Sequence, residues 1–286
     1  MKSIKLSAGP IDYTDSGGDG PVLVFTHGVP MSGTQWRKVL PLMTGYRCIA
    51  PTLPMGGHRT PMHHGTDLSE RGQARILGEF CEALDLTDVT LVLNDWGGGQ
   101  FLLLEPEGER ISRMVLVACE AFDNYPPAAA RGMTTLARVP AGVWLLTRLM
   151  MIPAFRHAQS GFGGMSLTPL PDDIVKDWFA PATRNRRIRR DIADFAGRPP
   201  NRASLLEWSE QLRGCQIPVL VVWATKDRMM PREHGPRLVE LYPNAELVEV
   251  ADSATLVPED QPELLAQHLR AFLQRTEAPT PHSRER

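Results

Sequence analysis

The sequence predicts an α/β fold in which helices cover both faces of a mostly parallel, eight-stranded β-sheet. Six short apolar runs alternate with segments in which apolar residues recur every three or four positions. Continuous apolar strands between amphipathic helices are typical of a parallel sheet that is buried on both faces. The alternation stops over residues 120–216, where no strand pattern occurs and helical patterns predict an insertion.

Each predicted element follows from its local pattern. Residues 4–6 and 11–13 can form a leading antiparallel hairpin, which adds two strands to the six apolar runs. Those six runs are 21–26, 47–51, 89–93, 114–118, 219–223 and 246–250. The spacing of apolar residues predicts core helices over 35–43, 68–86, 231–241 and 261–273. Together these elements predict a core formed by residues 1–121 and 213–275.

The insertion, residues 122–212, is predicted to be a helical cap on the carboxyl end of the sheet. Helical patterns cover 134–151, 172–180 and 203–212. The large apolar side chains expected in the wall of a pocket beneath this cap are Trp144, Trp178 and Trp208. Residues 276–286 are polar and contain proline, which predicts a disordered tail.

The charge balance argues against a strongly charged partner. Lysine and arginine number 31 and aspartate and glutamate number 33, which gives a net charge of −2. Such a chain has no overall field to attract nucleic acid or an anionic membrane, so neither is an expected partner. The arginines over 184–190 are interpreted as a solvated helix face. No apolar stretch reaches the roughly 18 residues that a membrane span needs.

The cysteines indicate neither a metal site nor a disulfide framework. Cys48, Cys81, Cys119 and Cys215 form no C-x-x-C pair, and three of them lie in apolar runs. Buried thiols of this kind are typical of a reducing compartment, so a cytoplasmic location is expected. No cofactor is indicated, and we expect a monomer or homodimer that acts on a small molecule.

The most informative segment is 91–99, because an apolar strand ends there in a polar residue and three glycines follow. The letters LVLNDWGGG place Asp95 between the strand and a helical run. A residue at such a strand–turn–helix junction is held on a strained turn and projects from the top of the sheet, as the nucleophile of an elbow does. We therefore expect Asp95 to face a pocket beneath the cap. Taken alone, Asp95 fits the N-cap of an ordinary helix better.

Two further motifs favour the elbow. The H-G-V-P motif at 27–30 follows the first parallel strand, and a backbone N–H near Val29 can point at a developing anion. Asp227 lies at the end of a later apolar strand, which is a common position for a catalytic acid. Glu120 follows another apolar strand and is the alternative acid.

With these motifs the sequence resembles the α/β-hydrolase superfamily, and within it the haloalkane dehalogenases and epoxide hydrolases that use an aspartate nucleophile. The H-G-x-P loop, the D-W-G-G elbow and the position of the cap match that branch over nearly the whole chain. The resemblance implies that Asp95 is the nucleophile and that Val29 and Trp96 bind the oxyanion or leaving group. In dehalogenases the tryptophan after the nucleophile donates its indole N–H to the departing halide. The resemblance also implies that Glu120 or Asp227 is the acid, with Glu120 slightly preferred.

The sequence departs from that branch at the histidine. The family places its base in a D-x-G-H segment shortly before the last helix, and Thr255 stands at that position here. His58, His63 and His64 lie in a loop that can approach the site, and one of them is a candidate surrogate base. Without a base, an aspartyl ester formed by Asp95 is expected to persist, because its hydrolysis needs an activated water.

The resemblance leaves the substrate open between halide and epoxide. Epoxide hydrolases of this branch use cap tyrosines to protonate the opening ring, and Tyr125 is the one tyrosine near the cap. Val29 stands where many dehalogenases carry an asparagine that helps to hold halide. A cap tryptophan would have to be the second halide donor.

Three functions remain open from the sequence. The first is a hydrolase of the dehalogenase or epoxide-hydrolase type that acts on a small apolar molecule through Asp95. The second is a non-hydrolytic enzyme, a lyase, isomerase or cyclase, in which Asp95 is an acid or base. The third is a ligand-binding module, against which the retained carboxylates argue, because binding alone does not require them.

Overall fold

An eight-stranded sheet organises residues 1–276, the part of the chain that the computed structural model describes. The strands are β1 (Lys2–Lys5), β2 (Pro10–Asp15), β3 (Val22–Phe25), β4 (Arg47–Pro51), β5 (Val89–Asp95), β6 (Ile111–Cys119), β7 (Val219–Ala224) and β8 (Ala245–Val250). Their order is β1-β2-β4-β3-β5-β6-β7-β8. Strand β2 pairs antiparallel with β1 and β4, and all other neighbours are parallel. The predicted fold class is confirmed.

The central strands are buried on both faces, which explains their uninterrupted apolar sequence. All seven residues of β5 are buried, and alternate residues along it enter different cores. Leu91 and Leu93 pack into the core on one face of the sheet. Val92 packs into the core on the other face. This two-sided packing fixes the carboxyl end of β5, where the elbow begins.

Helices flank the sheet and form the cap. In chain order they are α1 (Glu70–Ala83), α2 (Arg131–Ala137), α3 (Pro140–Met150), α4 (Pro153–Arg156), α5 (Asp172–Arg184), α6 (Arg186–Ala196), α7 (Arg202–Gln211), α8 (His234–Leu241), α9 (Val257–Asp260) and α10 (Pro262–Thr276). Helices α2–α7 lie between β6 and β7, within the segment assigned to the cap. The exact domain boundaries stay a prediction.

One predicted helix is wrong. Two short 3-10 turns, Gly33–Trp36 and Leu40–Leu42, occupy the segment in which an α-helix was expected over 35–43. Pro41 lies within this segment, and a proline removes a backbone donor and clashes with the preceding turn of an α-helix. The predicted tail over 276–286 lies outside the described residues, apart from Thr276 at the end of α10. In residues 1–276 no helix is both long enough and apolar enough to cross a bilayer.

Candidate active site

Asp95 lies on a sharp turn at the end of β5. Its φ is +64°, a left-handed conformation that is uncommon outside glycine but better tolerated by aspartate than by most residues. The turn packs too closely for side chains on the glycines that follow. A Cβ on Gly97 would lie 1.8 Å from the Glu120 carbonyl oxygen, and one on Gly98 would lie 1.8 Å from Glu70 Oε1. The glycines of the motif therefore allow the elbow to form.

The Asp95 carboxyl is held against the loop after β3. The backbone N–H of Val29 donates to Asp95 Oδ2 at 3.0 Å. Gly28 permits this approach, since a Cβ there would lie 2.2 Å from the same oxygen. Asp95 is only 6% exposed. Burial raises the pKa of Asp95 to about 7; the Val29 N–H opposes this shift and the charge of Asp227 adds to it.

Asp95 lies at the base of a cavity of about 170 Å³ beneath the cap. The polar side chains next to it in this lining are Glu120 and Tyr125. Most of the remaining wall is apolar and comes from the cap helices and the segments that join them. Examples of these apolar residues are Met133, Val143, Leu146, Met150, Phe162 and Phe195. The cavity is therefore suited to a small apolar molecule whose reacting atom meets a carboxylate.

None of the six tryptophans lines this cavity, so the expectation that a cap tryptophan forms its wall is wrong. Trp178 is fully buried against the core, and its indole N–H donates to Thr34 Oγ1 at 2.8 Å. Trp208 packs edge to face against the Phe101 ring. Trp144 is 43% exposed on the outer side of α3. The sequence alone did not show which face of each cap helix lines the cavity, so the tryptophans were assigned to the wrong face.

Trp96 does not line the cavity either. Its indole N–H donates to Glu70 Oε1 at 2.8 Å, and both residues are buried. The donor that the resemblance assigns to a departing halide is therefore already engaged by a carboxylate. Glu70 was missed because it is the first residue of α1, directly after the N-cap Ser69, where a glutamate normally has a helix-dipole role.

Three buried carboxyls therefore lie close together. Glu120 follows β6 and is 9% exposed, and its Oε2 atom has no hydrogen-bond partner. Burial, and then the charges of Glu70 and Asp95, raise the pKa of Glu120 well above its ordinary value. Burial likewise raises the pKa of Glu70 to about 8, opposed by Trp96 and by the Tyr125 hydroxyl. The structure thus brings Asp95 and Glu120 together at the cavity, and it adds Glu70 behind them.

Asp227, the other candidate acid, has different neighbours. Its Oδ1 accepts hydrogen bonds from the Met229 N–H at 2.8 Å, the Met230 N–H at 3.1 Å and the Thr255 hydroxyl at 2.9 Å. Burial raises the pKa of Asp227, and these donors oppose the shift. Thr255 is held further by Asn94, whose side-chain amide donates to the Thr255 carbonyl oxygen at 2.7 Å. Neither Asp227 nor Thr255 lines the cavity.

The histidines in residues 1–276 do not supply a substitute for the family base, because none of them lines the cavity. His58 Nε2 lies 3.2 Å from Asp191 Oδ2. His63 and His64 are exposed. His27 accepts a hydrogen bond from the Leu53 N–H at 2.9 Å, and burial lowers its pKa to about 4, so it organises the loop as a neutral side chain.

The sheet order, the elbow and the capped cavity define an α/β-hydrolase-fold protein, and residues 21–262 match the model of the α/β-hydrolase-fold family. The chain belongs to this family. Haloalkane dehalogenase 2 of Mycobacterium tuberculosis H37Rv is 28% identical over 276 residues, which cover 91% of this chain and 90% of the relative. Cis-3-alkyl-4-alkyloxetan-2-one decarboxylase of Xanthomonas campestris is 28% identical over 285 residues, covering 93% and 92%. The solved epoxide hydrolase CorEH shares the fold with a TM-score of 0.75 at 17% identity, covering 96% of this chain and 99% of that one.

Proposed function

We propose that the protein is a hydrolase of the dehalogenase and epoxide-hydrolase type, and that Asp95 is its nucleophile. The observation that carries the proposal is the Asp95 carboxyl on an elbow, at the base of an apolar cavity. The similarity to a named haloalkane dehalogenase over nine-tenths of both chains supports it. A carboxylate needs no base to displace a leaving group from carbon, because its ionised form is already nucleophilic.

The two Asp95 oxygens have different tasks in this reaction. The Val29 N–H holds Oδ2, which leaves Oδ1 to attack the electrophilic carbon. After alkylation Oδ1 is the ester oxygen and Oδ2 is the carbonyl oxygen. The Val29 N–H is then in position to stabilise the oxyanion that forms on Oδ2 when water attacks the ester.

The cavity favours an epoxide over a haloalkane within this type. Its volume of about 170 Å³ is slightly larger than a cavity of roughly 150 Å³ that binds benzene in another protein. A departing halide needs N–H donors, but no tryptophan lines the cavity and the Trp96 indole is bound to Glu70. Tyr125, by contrast, lines the cavity beside Asp95 and Glu120. Its hydroxyl can protonate an oxygen leaving group.

The second half of the reaction lacks the family base. General-base catalysis is typically worth about 10²–10⁴-fold, and Thr255 cannot accept a proton near neutral pH. We therefore expect the ester on Asp95 to form readily and to break down slowly.

Intact-protein mass spectrometry tests the proposal. Wild type is expected to gain the mass of one hydroxyhexyl group from 1,2-epoxyhexane or one hexyl group from 1-bromohexane, and Asp95→Ala is expected to gain neither. Adduct formation that is unchanged in Asp95→Ala contradicts the proposal. Absence of both adduct and turnover in the wild type also contradicts it.

A second candidate is a non-hydrolytic reaction in which Asp95 acts as an acid or base. Its pKa of about 7 supports this candidate, because general catalysts work best when their pKa lies near the operating pH. The Xanthomonas relative, named as a decarboxylase, is a family precedent for a reaction other than hydrolysis. Product formation without any covalent enzyme would favour this candidate, and tight ligand binding without turnover would favour a binding module.

We further infer a cytoplasmic location and a small-molecule partner. The cysteines Cys48, Cys81, Cys119 and Cys215 are free thiols, and the first three are buried. Free thiols are typical of proteins in reducing compartments.

The protein is expected to be a monomer or a homodimer. Size-exclusion chromatography with light scattering distinguishes these two states.

A further inference from the structure

The outer side of the cap carries a group of exposed apolar side chains. Within residues 1–276 nine large apolar residues are exposed, and six of them lie in the segment from Leu136 to Phe155. The six are Leu136, Val139, Trp144, Leu145, Ile152 and Phe155. Single exposed apolar residues are ordinary on a protein surface, whereas a group of them in one place marks an interaction site.

Helix α3 and the turn after it present these side chains on one side. The exposed residues of α3 include Trp144, Leu145 and Arg148, and a spacing of three and four residues places them on one helix face. Ile152 follows α3, and its carbonyl oxygen accepts the Phe155 N–H at 3.1 Å. The exposed apolar face of α3 therefore continues into α4.

The end of α2 extends this face. Gly142, near the start of α3, lies so close to α2 that a Cβ on it would be 1.8 Å from the Leu136 carbonyl oxygen. The side chains of Leu136, Arg138 and Val139 are exposed at this junction. We call the six exposed apolar residues, together with Arg131, Arg138 and Arg148, the outer cap face.

The inner side of the same helices lines the cavity. Helix α3 contributes Val143, Leu146 and Met150 to its wall, and α2 contributes Met133 and Ala137. An α-helix with its side chains is about 10 Å wide, so a single helix separates the cavity from the outer cap face. Helix α3 is apolar on both sides, and only its inner side is accounted for by the cavity.

The charges of this segment are all positive. Residues 124–171 contain four arginines and neither aspartate nor glutamate. Arg156 is buried in an ion pair. The three exposed arginines, Arg131, Arg138 and Arg148, form no ion pair in the part of the chain that the structure describes. The net charge of −2, which argues against an anionic membrane as a partner, averages over this local concentration of positive charge.

An anionic bilayer fits the outer cap face better than a second copy of the chain. In a symmetric dimer the same patch meets itself, so arginines would face arginines with no carboxylate of the patch to pair them. A bilayer accepts apolar side chains at its headgroup boundary, and its anionic headgroups attract arginines. The Arg148 guanidinium lies 5.6 Å from the centre of the Trp144 ring. Tryptophan and arginine both suit such a boundary, because each combines an apolar body with a polar end.

We propose that the outer cap face binds the surface of an anionic lipid bilayer. The apolar side chains enter the headgroup boundary, the three exposed arginines contact the headgroups, and the chain lies on the bilayer without crossing it. Small apolar molecules concentrate in a bilayer. Binding in this way therefore brings the cavity within one helix of a reservoir of substrate, a consequence that, unlike the binding itself, rests on the proposed function.

Vesicle flotation tests the binding without any reaction. The full chain should be mixed with vesicles of phosphatidylglycerol and phosphatidylcholine, or with vesicles of phosphatidylcholine alone. Wild type is expected to float with the anionic vesicles much more than with the neutral ones, and added salt should weaken this binding. Absence of binding to the anionic vesicles overturns the proposal. Equal binding to both kinds also overturns it, because the arginines would then take no part.

Substitution of apolar side chains tests whether the cap makes the contact. Trp144→Ser combined with Phe155→Ser removes two large apolar side chains of the outer cap face. Leu247→Ser, at an exposed leucine of β8, is the matched control. The affinity for anionic vesicles should fall at least about tenfold in the double variant and stay at the wild-type value in the control. Equal affinities in all three proteins would overturn the proposal.

Substitution of charges separates the local face from the net charge. Arg138→Gln combined with Arg148→Gln should lower the affinity roughly fivefold for each arginine removed. Lys5→Gln combined with Arg232→Gln removes the same charge from exposed residues of the core and should change the affinity much less. The same loss in both double variants would show that only the net charge matters, and it would overturn the proposal.

Tryptophan fluorescence locates the contact. Of the six tryptophans, all of them in residues 1–276, Trp144 alone is exposed. Its emission should therefore shift to shorter wavelength on anionic vesicles. Trp144→Phe should still bind and should lose the shift, whereas a shift that persists in this variant contradicts the proposal.

Light scattering identifies the alternative occupant. A wild-type dimer that does not bind vesicles, and that becomes a monomer in the Trp144→Ser and Phe155→Ser double variant, would show that the outer cap face is a dimer interface and would overturn the proposal. The proposed function fails separately, because alkylation of Asp95 is measured without vesicles and vesicle binding is measured without an electrophile.

Discussion

The two halves of the site differ in how far they keep the arrangement of the family that the sequence resembles. In the half formed by the ends of β3 and β5, Asp95 faces the cavity and receives the Val29 N–H. In the half formed by the ends of β7 and β8, the Thr255 hydroxyl donates a hydrogen bond to Asp227, and neither residue lines the cavity. Under the proposed function, the carboxyl and the N–H needed for attack on carbon are in place, whereas Thr255 replaces the histidine that the family resemblance assigns to water activation.

The half without histidine is only partly satisfied, because Asp227 Oδ2 is buried and has no hydrogen-bond partner. Three donors converge on Asp227 Oδ1, one of them the Thr255 hydroxyl, and Asn94 holds the Thr255 backbone. Each such hydrogen bond contributes about 0.5–1.5 kcal/mol to stability. Thr255 therefore supplies one donor to Asp227 Oδ1, whereas Oδ2 is left without the partner that a histidine could provide.

The largest effect is expected when the Asp95 carboxyl is removed. Asp95→Ala removes the attacking oxygen, so alkylation by 1,2-epoxyhexane should fall to the background rate of the other carboxyls. Intact-protein mass spectrometry measures the adduct, and circular dichroism checks that the variant is folded. An adduct at wild-type level would show that another residue is the nucleophile.

The next largest effect is expected when a histidine is placed at position 255, beside Asp227. Thr255→His places an imidazole beside Asp227, which can orient it as the third member of a triad does. Breakdown of the preformed ester should accelerate by about 10²–10⁴-fold, the usual value of general-base catalysis. Thr255→Val is the matched control, because it removes the hydroxyl without adding a base. Equal breakdown rates in all three proteins would show that water is activated by another group.

The pH dependence of alkylation tests whether the pKa of Asp95 is raised. Asp95 must be ionised to attack, and its pKa is raised to about 7. The rate with 1-bromohexane should therefore rise about tenfold per pH unit below about 7 and level off above it. A rate that is constant between pH 5 and pH 8 would show that Asp95 ionises with an ordinary pKa.

The last expected effect concerns stability and not the reaction. The native pKa of Asp95 is raised from 3.8 to about 7, so the folded state keeps a proton that the unfolded state releases. Stability contributed by this site is therefore full below about pH 4 and is lost as the pH rises through about 7. Asp95→Asn should become more stable relative to wild type over this interval by roughly 3–5 kcal/mol. Urea unfolding at pH 4 and pH 8 measures the change, and a pH-independent difference would contradict it.

Elements governed by local sequence could be predicted, and those governed by packing between distant segments could not. The apolar runs identified the parallel strands, and the glycines after Asp95 identified the turn. The orientation of Trp96 depends on Glu70, which lies 26 residues earlier, and only the folded chain brings the two together. The inward faces of the cap helices depend in the same way on packing with the core, as the contact of Trp178 with Thr34 shows.

The most direct test of the central claim is to locate the covalent bond. Wild type should be incubated with 1,2-epoxyhexane, digested and analysed by tandem mass spectrometry. The account predicts one hydroxyhexyl group on Asp95, on the elbow at the base of the cavity. Modification of Glu120 in place of Asp95, or conversion of the epoxide to diol with no labelled peptide even at the earliest time points, would contradict it.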